Sequence, residues 1–254
     1  MSERNSEVAG APKSKSDYVA QRLLDRIVTG NLTPGSSLGT EAELLQQYDV
    51  SRPTLRESLR VLEAQGVLEL RPGPKGGIIV SMPGTDILAH GLSVYLRMHD
   101  VPFVAVLRAR EVIEPALAAE AAENGTEEDF ASMQASIERM IEVDHQDDFL
   151  EENRTFHSLV AHASRNHVMT IFWSTISMVA AGEVHGIQYT TGNQKRVVEA
   201  HQRILEACRK RDSVAAAACM REHVRDLEQL VKKSYKYLLN QATTIVARDG
   251  RRVG

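Results

Sequence analysis

Two sets of side chains in this sequence have the types and spacing to do chemistry. His157 follows Asn153 by four residues, so on a helix the amide and the imidazole share a face, and His201 and His223 come later on what read as two further helices. Three imidazoles from three helices can converge in a bundle core, where neutral imidazole suits zinc, nickel and similar divalent ions. Spacing alone does not select that reading, because nine histidines in a helical chain readily give such a triplet as ordinary core residues. The second set is cationic. Arg52, Arg56 and Arg60 recur at i, i+4, i+8, while Leu55, Leu59 and Leu62 recur at i, i+4, i+7. At about 100° per residue the two stripes are centred roughly 90° apart. One can bury while the other meets phosphates or base edges; the plainer alternative is a solvated face.

Those arginines need a helix to hold them, and the local signals supply one. Ser51 is a good N-cap, Pro53 is tolerated only in a first turn, and Gly66 stands where a helix end wants a left-handed residue. Upstream, a helix from Ser16 carries Val19, Leu23, Leu24 and Ile27 and ends near Gly30, and Asn31 to Gly35 reads as a turn. Thr40 and Glu43 form a capping box for a helix with Leu44, Leu45 and Tyr48, and Asp49 and Val50 turn the chain into the Ser51 helix. Downstream, Val67 to Leu70 and Gly77 to Ser81 read as strands around a Pro-Gly-Pro-Lys-Gly-Gly tip. The sum over residues 16–82 is a winged helix-turn-helix whose glycine-rich tip can approach a groove, with Arg52, Arg56, Arg60, Arg71 and Lys75 as a local basic strip.

The histidines need a bundle. Met82 to Thr85 reads as a boundary, and the remainder has the period of helices at about 86–98, 102–123, 126–143, 147–164, 167–187, 193–210 and 212–240. Asn124-Gly125 and Asp212 are stop and start signals, and Glu127, Glu128 and Asp129 suit a helix N-terminus. The expected architecture is therefore mainly α: residues 1–15 a disordered arm, 16–82 a winged domain, 86–240 an all-helical bundle and 241–254 a tail.

Composition bounds the function. The net charge is −4, with residues 1–83 balanced and the deficit carried by the rest, which argues against non-specific binding of nucleic acid through bulk charge. Aromatics make up 5% of the chain, arguing against stacking on single-stranded bases. Cys208 and Cys219 lack metal or redox spacing and read as free thiols in a reducing compartment. No apolar run reaches the roughly 18 residues of a membrane span, and the polar start has no signal-peptide core, so no membrane partner and a cytoplasmic location are expected.

The run GNLTPGSSLGTEAELLQQYDVSRPTLRESLRVLEAQGVLELRPGPKGGIIV resembles the DNA-binding domain of the GntR family of bacterial transcription regulators. The resemblance implies that Ser51, Arg52, Thr54 and Arg56 face DNA and that Gly73 and nearby wing residues such as Lys75 enter the minor groove; Arg60 falls to a phosphate clamp or to solvent. It departs from many relatives at Ala42, where they carry an arginine. A guanidinium paired with guanine favours Arg52 and Arg56 as readers.

The segments LRAREVIEPALAAEAAENGTEEDF, ENRTFHSLVAHASRN, VVEAHQRILEACRKRD and MREHVRD resemble the FCD effector-binding domain of the FadR-like branch. That resemblance implies a metal set of an Asp-x-x-x-His pair plus two later histidines, matched by His157, His201 and His223, with Asn153 standing where the aspartate is expected. An amide oxygen can ligate a metal but brings no charge, so the site should hold zinc or nickel more weakly and draw an anion to it. The alternative is a metal-free pocket whose histidines bind the effector directly. Arg110 is implied as a cavity residue able to hold a carboxylate, although an ordinary surface pair with Glu114 is the plainer reading. His162, Trp173, His185 and Tyr189 are weaker candidates for the pocket wall, with Trp173 more simply core.

The expectation is a ligand-responsive repressor, homodimeric on a palindromic double-stranded operator and released by a small carboxylate effector. Two other readings compete with it. One is a metal-dependent hydrolase on the three-histidine site, which lacks any HExxH, Gly-x-Ser-x-Gly or phosphate-loop motif. The other is a helical scaffold with a vestigial winged domain.

Overall fold

A computed structural model describes residues 14–73, 77–184 and 189–235 of the chain. The expected N-terminal arm up to residue 13, the tail, Lys75 and His185 lie outside the described residues. Two compact units divide at Ile87 and Leu88.

The first unit contains α1 (Lys15–Thr29), α2 (Glu41–Tyr48), α3 (Arg52–Ala64), β1 (Leu68–Arg71) and β2 (Gly77–Val80). Ser14, counted with the arm from sequence, is instead the N-cap of α1 and accepts from the Asp17 amide. The Thr40 and Glu43 side chains close both halves of the capping box on α2, satisfying amides that have no partner inside the helix. Asp49 takes a left-handed φ of 48°, which makes the turn into α3 tight.

Ser51 caps α3 as expected, and Gly66 ends it at φ 72°. The Val67 amide reaches the Leu62 carbonyl at 2.9 Å, and the Gly66 amide reaches that of Glu63 at 2.9 Å. This is the Schellman closure that a glycine at C′ permits. Leu55, Leu59 and Leu62 are buried among Val19, Leu23, Ile27, Leu44, Ile78 and Val80, and each such side chain stabilises the unit by about 1.5–3 kcal/mol. Ser58 lies on the same buried face and donates to the Ser16 carbonyl at 2.7 Å, tying α3 to α1.

β1 and β2 pair antiparallel with Leu68 opposite Val80 and Leu70 opposite Ile78. The turn after α1 adds a third edge: the Gly35 and Leu38 amides reach the Val80 and Ile78 carbonyls, each at 2.9 Å.

α4 (Thr85–Met98) leads into the second unit, which is built from α5 (Phe103–Asn124), α6 (Glu127–Glu142), α7 (Gln146–Ala163), α8 (His167–Val184), α9 (Thr191–Arg209) and α10 (Ser213–Ser234). Thr126 with Asp129, Thr190, and Asp212 cap α6, α9 and α10. The last helix ends at Ser234, with Tyr235 out of helical conformation, while 236–240 of the expected helix lie outside the described residues. α5 runs through the middle, touching α7, α8, α9 and α10, which is why its buried residues occupy more than one face. The main core joins Phe130, Met133, Ile137, Phe149, Phe156, Val160, Ile204 and Met220. The fold is mainly α, as expected: a winged helix-turn-helix followed by a helical bundle.

Candidate nucleic-acid interface and effector site

In the winged unit, α3 turns Ser51, Arg52, Arg56 and Arg60 outward. Ser51 Oγ lies 2.8 Å from Thr54 Oγ1, so both hydroxyls are drawn into the cap. Arg56 is not simply solvated. Its Nε stands 3.2 Å from Glu41 Oε1 and its second guanidinium edge nitrogen 3.3 Å from Oε2. The acidic first turn of α2 thus holds the guanidinium side-on, leaving its other terminal nitrogen unused by this pair. Arg71 is likewise paired, with Glu69 at 2.9 Å. Arg52 and Arg60 make no ion pair among the described residues. The basic strip expected from sequence is therefore part neutralised, and among its described residues the unpaired charge sits on α3. Gly73 opens the wing tip at φ 99°, a conformation that favours glycine.

In the helical unit three histidines meet. His157 from α7 and His201 from α9 each direct Nε2 at Nε2 of His223 on α10, at 3.1 and 3.2 Å. Ligands at adjacent corners around an ion with bonds near 2.1 Å would be about 3.0–3.4 Å apart, so the His157–His223 and His201–His223 pairs already have that spacing, and the three rings each offer a nitrogen within 4.8 Å of the others. Phe156 stacks flat on His201, with centroids 3.9 Å apart and planes 10° apart. Burial, aided by the neighbouring imidazoles, pushes His201 well below its ordinary value. The same causes bring His223 down to about 3, although Glu114 opposes them. Both rings are therefore neutral at pH 7, the form that ligates.

Behind His157 sits a carboxylate. Glu114 Oε2 lies 2.5 Å from His157 Nδ1, a charge contact short of hydrogen-bond alignment, and Glu114 Oε1 accepts from Arg110 Nε at 2.5 Å. Both Arg110 and Glu114 are buried. Burial alone would raise the Glu114 carboxyl, yet Arg110 and His157 hold it well below the usual carboxylate range. The Arg110–Glu114 pair is therefore not the surface pair that spacing allows.

A cavity of about 350 Å³ opens beside the cluster, bordered by Arg110, Asn153, His157, Tyr189, Arg196 and His223. Lys233 and Asp226 also border it, with Asp226 bound to Arg196 at 2.8 Å. Burial pushes the Tyr189 phenol up to about 12, so it stays protonated.

The comparisons with known proteins agree with both halves. Residues 15–79 match the bacterial regulatory proteins of the gntR family, and residues 105–226 match the FCD domain. The chain joins a GntR-family DNA-binding domain to an FCD domain. This regulator is 28% identical to the HTH-type transcriptional regulator YcbG of Bacillus subtilis over 221 residues, covering 87% of this chain and 91% of that one. It is 27% identical to the galactonate operon transcriptional repressor of Escherichia coli over 209 residues, covering 80% and 90%. Among solved structures, Streptococcus agalactiae GntR matches with a TM-score of 0.62 at 25% identity, covering 84% of this chain and 99% of that one. Such regulators bind DNA and are not enzymes, so the hydrolase reading of the histidines falls.

Within the regulator, His157, His201 and His223 come together, and Asn153 and Arg110 border the same cavity. His201 is wholly buried and meets His223 through Nε2. His162 does not join the wall: it is exposed on α7, its Nδ1 2.7 Å from the Ser158 carbonyl. Trp173 packs in a core cluster with Leu117 and Ala161. Tyr189 borders the cavity. Sequence reasoning missed Glu114 as the partner of His157, because the i, i+4 spacing to Arg110 accounted for it locally. It also missed Glu41 as the partner of Arg56, which lies 15 residues away. No helix among the described residues is long and apolar enough to cross a membrane.

Proposed function

We propose that the regulator is an effector-controlled repressor. In this reading it binds a palindromic operator as a homodimer and senses a small carboxylate in the cavity of its helical unit, alongside a divalent ion on His157, His201, His223 and Asn153. The observation that carries the effector site is the convergence of three imidazole nitrogens beside a cavity whose border holds Arg110, Arg196 and Lys233 against Asp226. The donor set suits zinc or nickel. With an amide instead of a carboxylate at position 153, a bound ion keeps its charge unneutralised, and an anionic effector supplies what the protein does not. A winged domain reads few base pairs, so two copies on a palindrome give the length that specificity needs. Effector binding then shifts operator affinity by favouring one placement of the DNA-binding units over another.

Elemental analysis of untagged protein tests the metal. About one zinc or nickel per chain is expected, and its loss in His201→Ala. Equal, negligible metal in both proteins would leave the histidines to bind the effector themselves.

Selection from a random duplex pool is expected to return a palindrome, and the recovered duplex tests the reading residues. Arg56→Ala should weaken the selected duplex by roughly 5- to 150-fold, the range of 1–3 kcal/mol for a lost base contact, with little effect on a scrambled duplex at the same salt. A uniform loss on both would make Arg56 a phosphate contact.

A further inference from the structure

Glu114 is the buried group that touches both halves of the proposed effector site. One carboxylate oxygen accepts from Arg110, which borders the cavity, and the other lies 2.5 Å from Nδ1 of His157, whose far nitrogen faces the histidine cluster. We infer that Glu114 is a positioning residue that couples occupancy of the three-histidine cluster to anion capture at Arg110. This rests on the metal reading proposed above.

The argument begins with the proton on His157. A carboxylate oxygen 2.5 Å from Nδ1 would repel a lone pair there whatever the alignment, so of the two neutral tautomers it selects the one with the hydrogen on Nδ1 and the Nε2 lone pair toward the cluster. For that tautomer the donor in the 3.1 Å contact between the two rings is His223. Glu114 thereby fixes the tautomer that a metal needs at His157, as outer carboxylates do for ligating histidines.

The second step concerns charge. A cation on His157 Nε2 makes the ring a stronger donor at Nδ1 and pulls the shared carboxylate toward it. Arg110 then loses part of its neutralising partner and offers more positive potential to an anion in the cavity. By linkage the reverse holds equally: an anion on Arg110 relieves the carboxylate of Arg110 and strengthens its hold on His157. Simple attraction between a cation and an anion in one cavity would also give mutual enhancement, but it would survive without Glu114.

The test uses zinc alone, its affinity measured by competition with a chromophoric chelator in chloride and in acetate buffers of equal ionic strength. Wild-type protein should bind zinc more tightly in acetate. Glu114→Gln should bind it 10- to 100-fold more weakly, the usual loss for an outer-shell partner, and should show no acetate effect, while Glu114→Asp should restore part of both. Retention of wild-type affinity or of the acetate effect in Glu114→Gln overturns the inference while leaving the metal reading intact. No zinc binding by wild-type protein overturns both. Long-range nitrogen–proton NMR of the metal-free wild-type protein gives a check that needs no variant: His157 should be protonated at Nδ1, and a proton on Nε2 overturns the inference.

Discussion

The metal-free helical unit is expected to lose stability steadily as pH falls from about 6.5. All nine histidines of the chain lie after Ile87, so the winged unit has no imidazole to titrate in this range. His201 and His223 are held below their ordinary values by burial and by neighbouring imidazoles, His223 down to about 3. The sign follows from proton uptake. Below the unfolded value the unfolded chain binds two protons that the folded cluster refuses, so acid favours unfolding. Stability is full above that value and falls until the folded groups themselves protonate. Each such histidine contributes a slope of about 1.4 kcal/mol per pH unit, roughly 2.7 for the pair, against a total of about 5–15 kcal/mol for a typical domain. Glu114, also lowered by Arg110 and His157 against the opposing effect of burial, adds in the same direction only below the ordinary carboxylate range. Urea midpoints of chelator-treated protein at pH 7.5, 6 and 5 measure this, with helix content as the probe. His201→Leu should roughly halve the slope. A midpoint unchanged across that range would mean that the cluster is open to protons and water.

Much of this molecule is written locally. Ser51, Pro53 and Gly66 bound α3, Thr40 and Glu43 open α2, and Asp212 starts α10, because capping is settled within four residues of chain. The leucine and arginine stripes of α3 are equally local, and burial of Leu55, Leu59 and Leu62 follows from them. What sequence does not carry is the partner across space. Arg56 is as cationic as its spacing implies, but Glu41 holds it, and that pair exists only once α2 and α3 pack. Arg71 is paired across a single intervening residue, a contact that strand geometry decides rather than charge count. The three histidines were visible as candidates, whereas their convergence needed α7, α9 and α10 in place. Glu114 shows the limit most sharply. Its neighbour four residues back offered a sufficient surface explanation, and only the position of α5 in the middle of the bundle turns that pair inward.

Phe156→Ala is expected to cost the helical unit about 3–5 kcal/mol, the range for emptying a buried aromatic site. Phe156 is wholly buried in the main core, so truncation loses the transfer energy of the ring and leaves a cavity that α7 and α9 cannot close without moving. Its second role sets it apart from Phe130 or Phe149. The His201 ring has no hydrogen-bond partner at Nδ1 among the described residues, so nothing polar holds its orientation there. The flat stack of Phe156 at 3.9 Å does so instead, with His157 meeting the edge of the same phenyl ring at 87°. Stability and site geometry should therefore separate in Phe156→Leu. Leucine restores most of the volume and should recover much of the folding free energy, yet it offers no flat face, so zinc affinity should stay depressed. Urea denaturation and chelator competition on the two variants read the two roles independently. Wild-type zinc affinity in Phe156→Leu would show that backbone position alone aims His201, and a cost below about 1 kcal/mol for Phe156→Ala would show that the core refills around the missing ring.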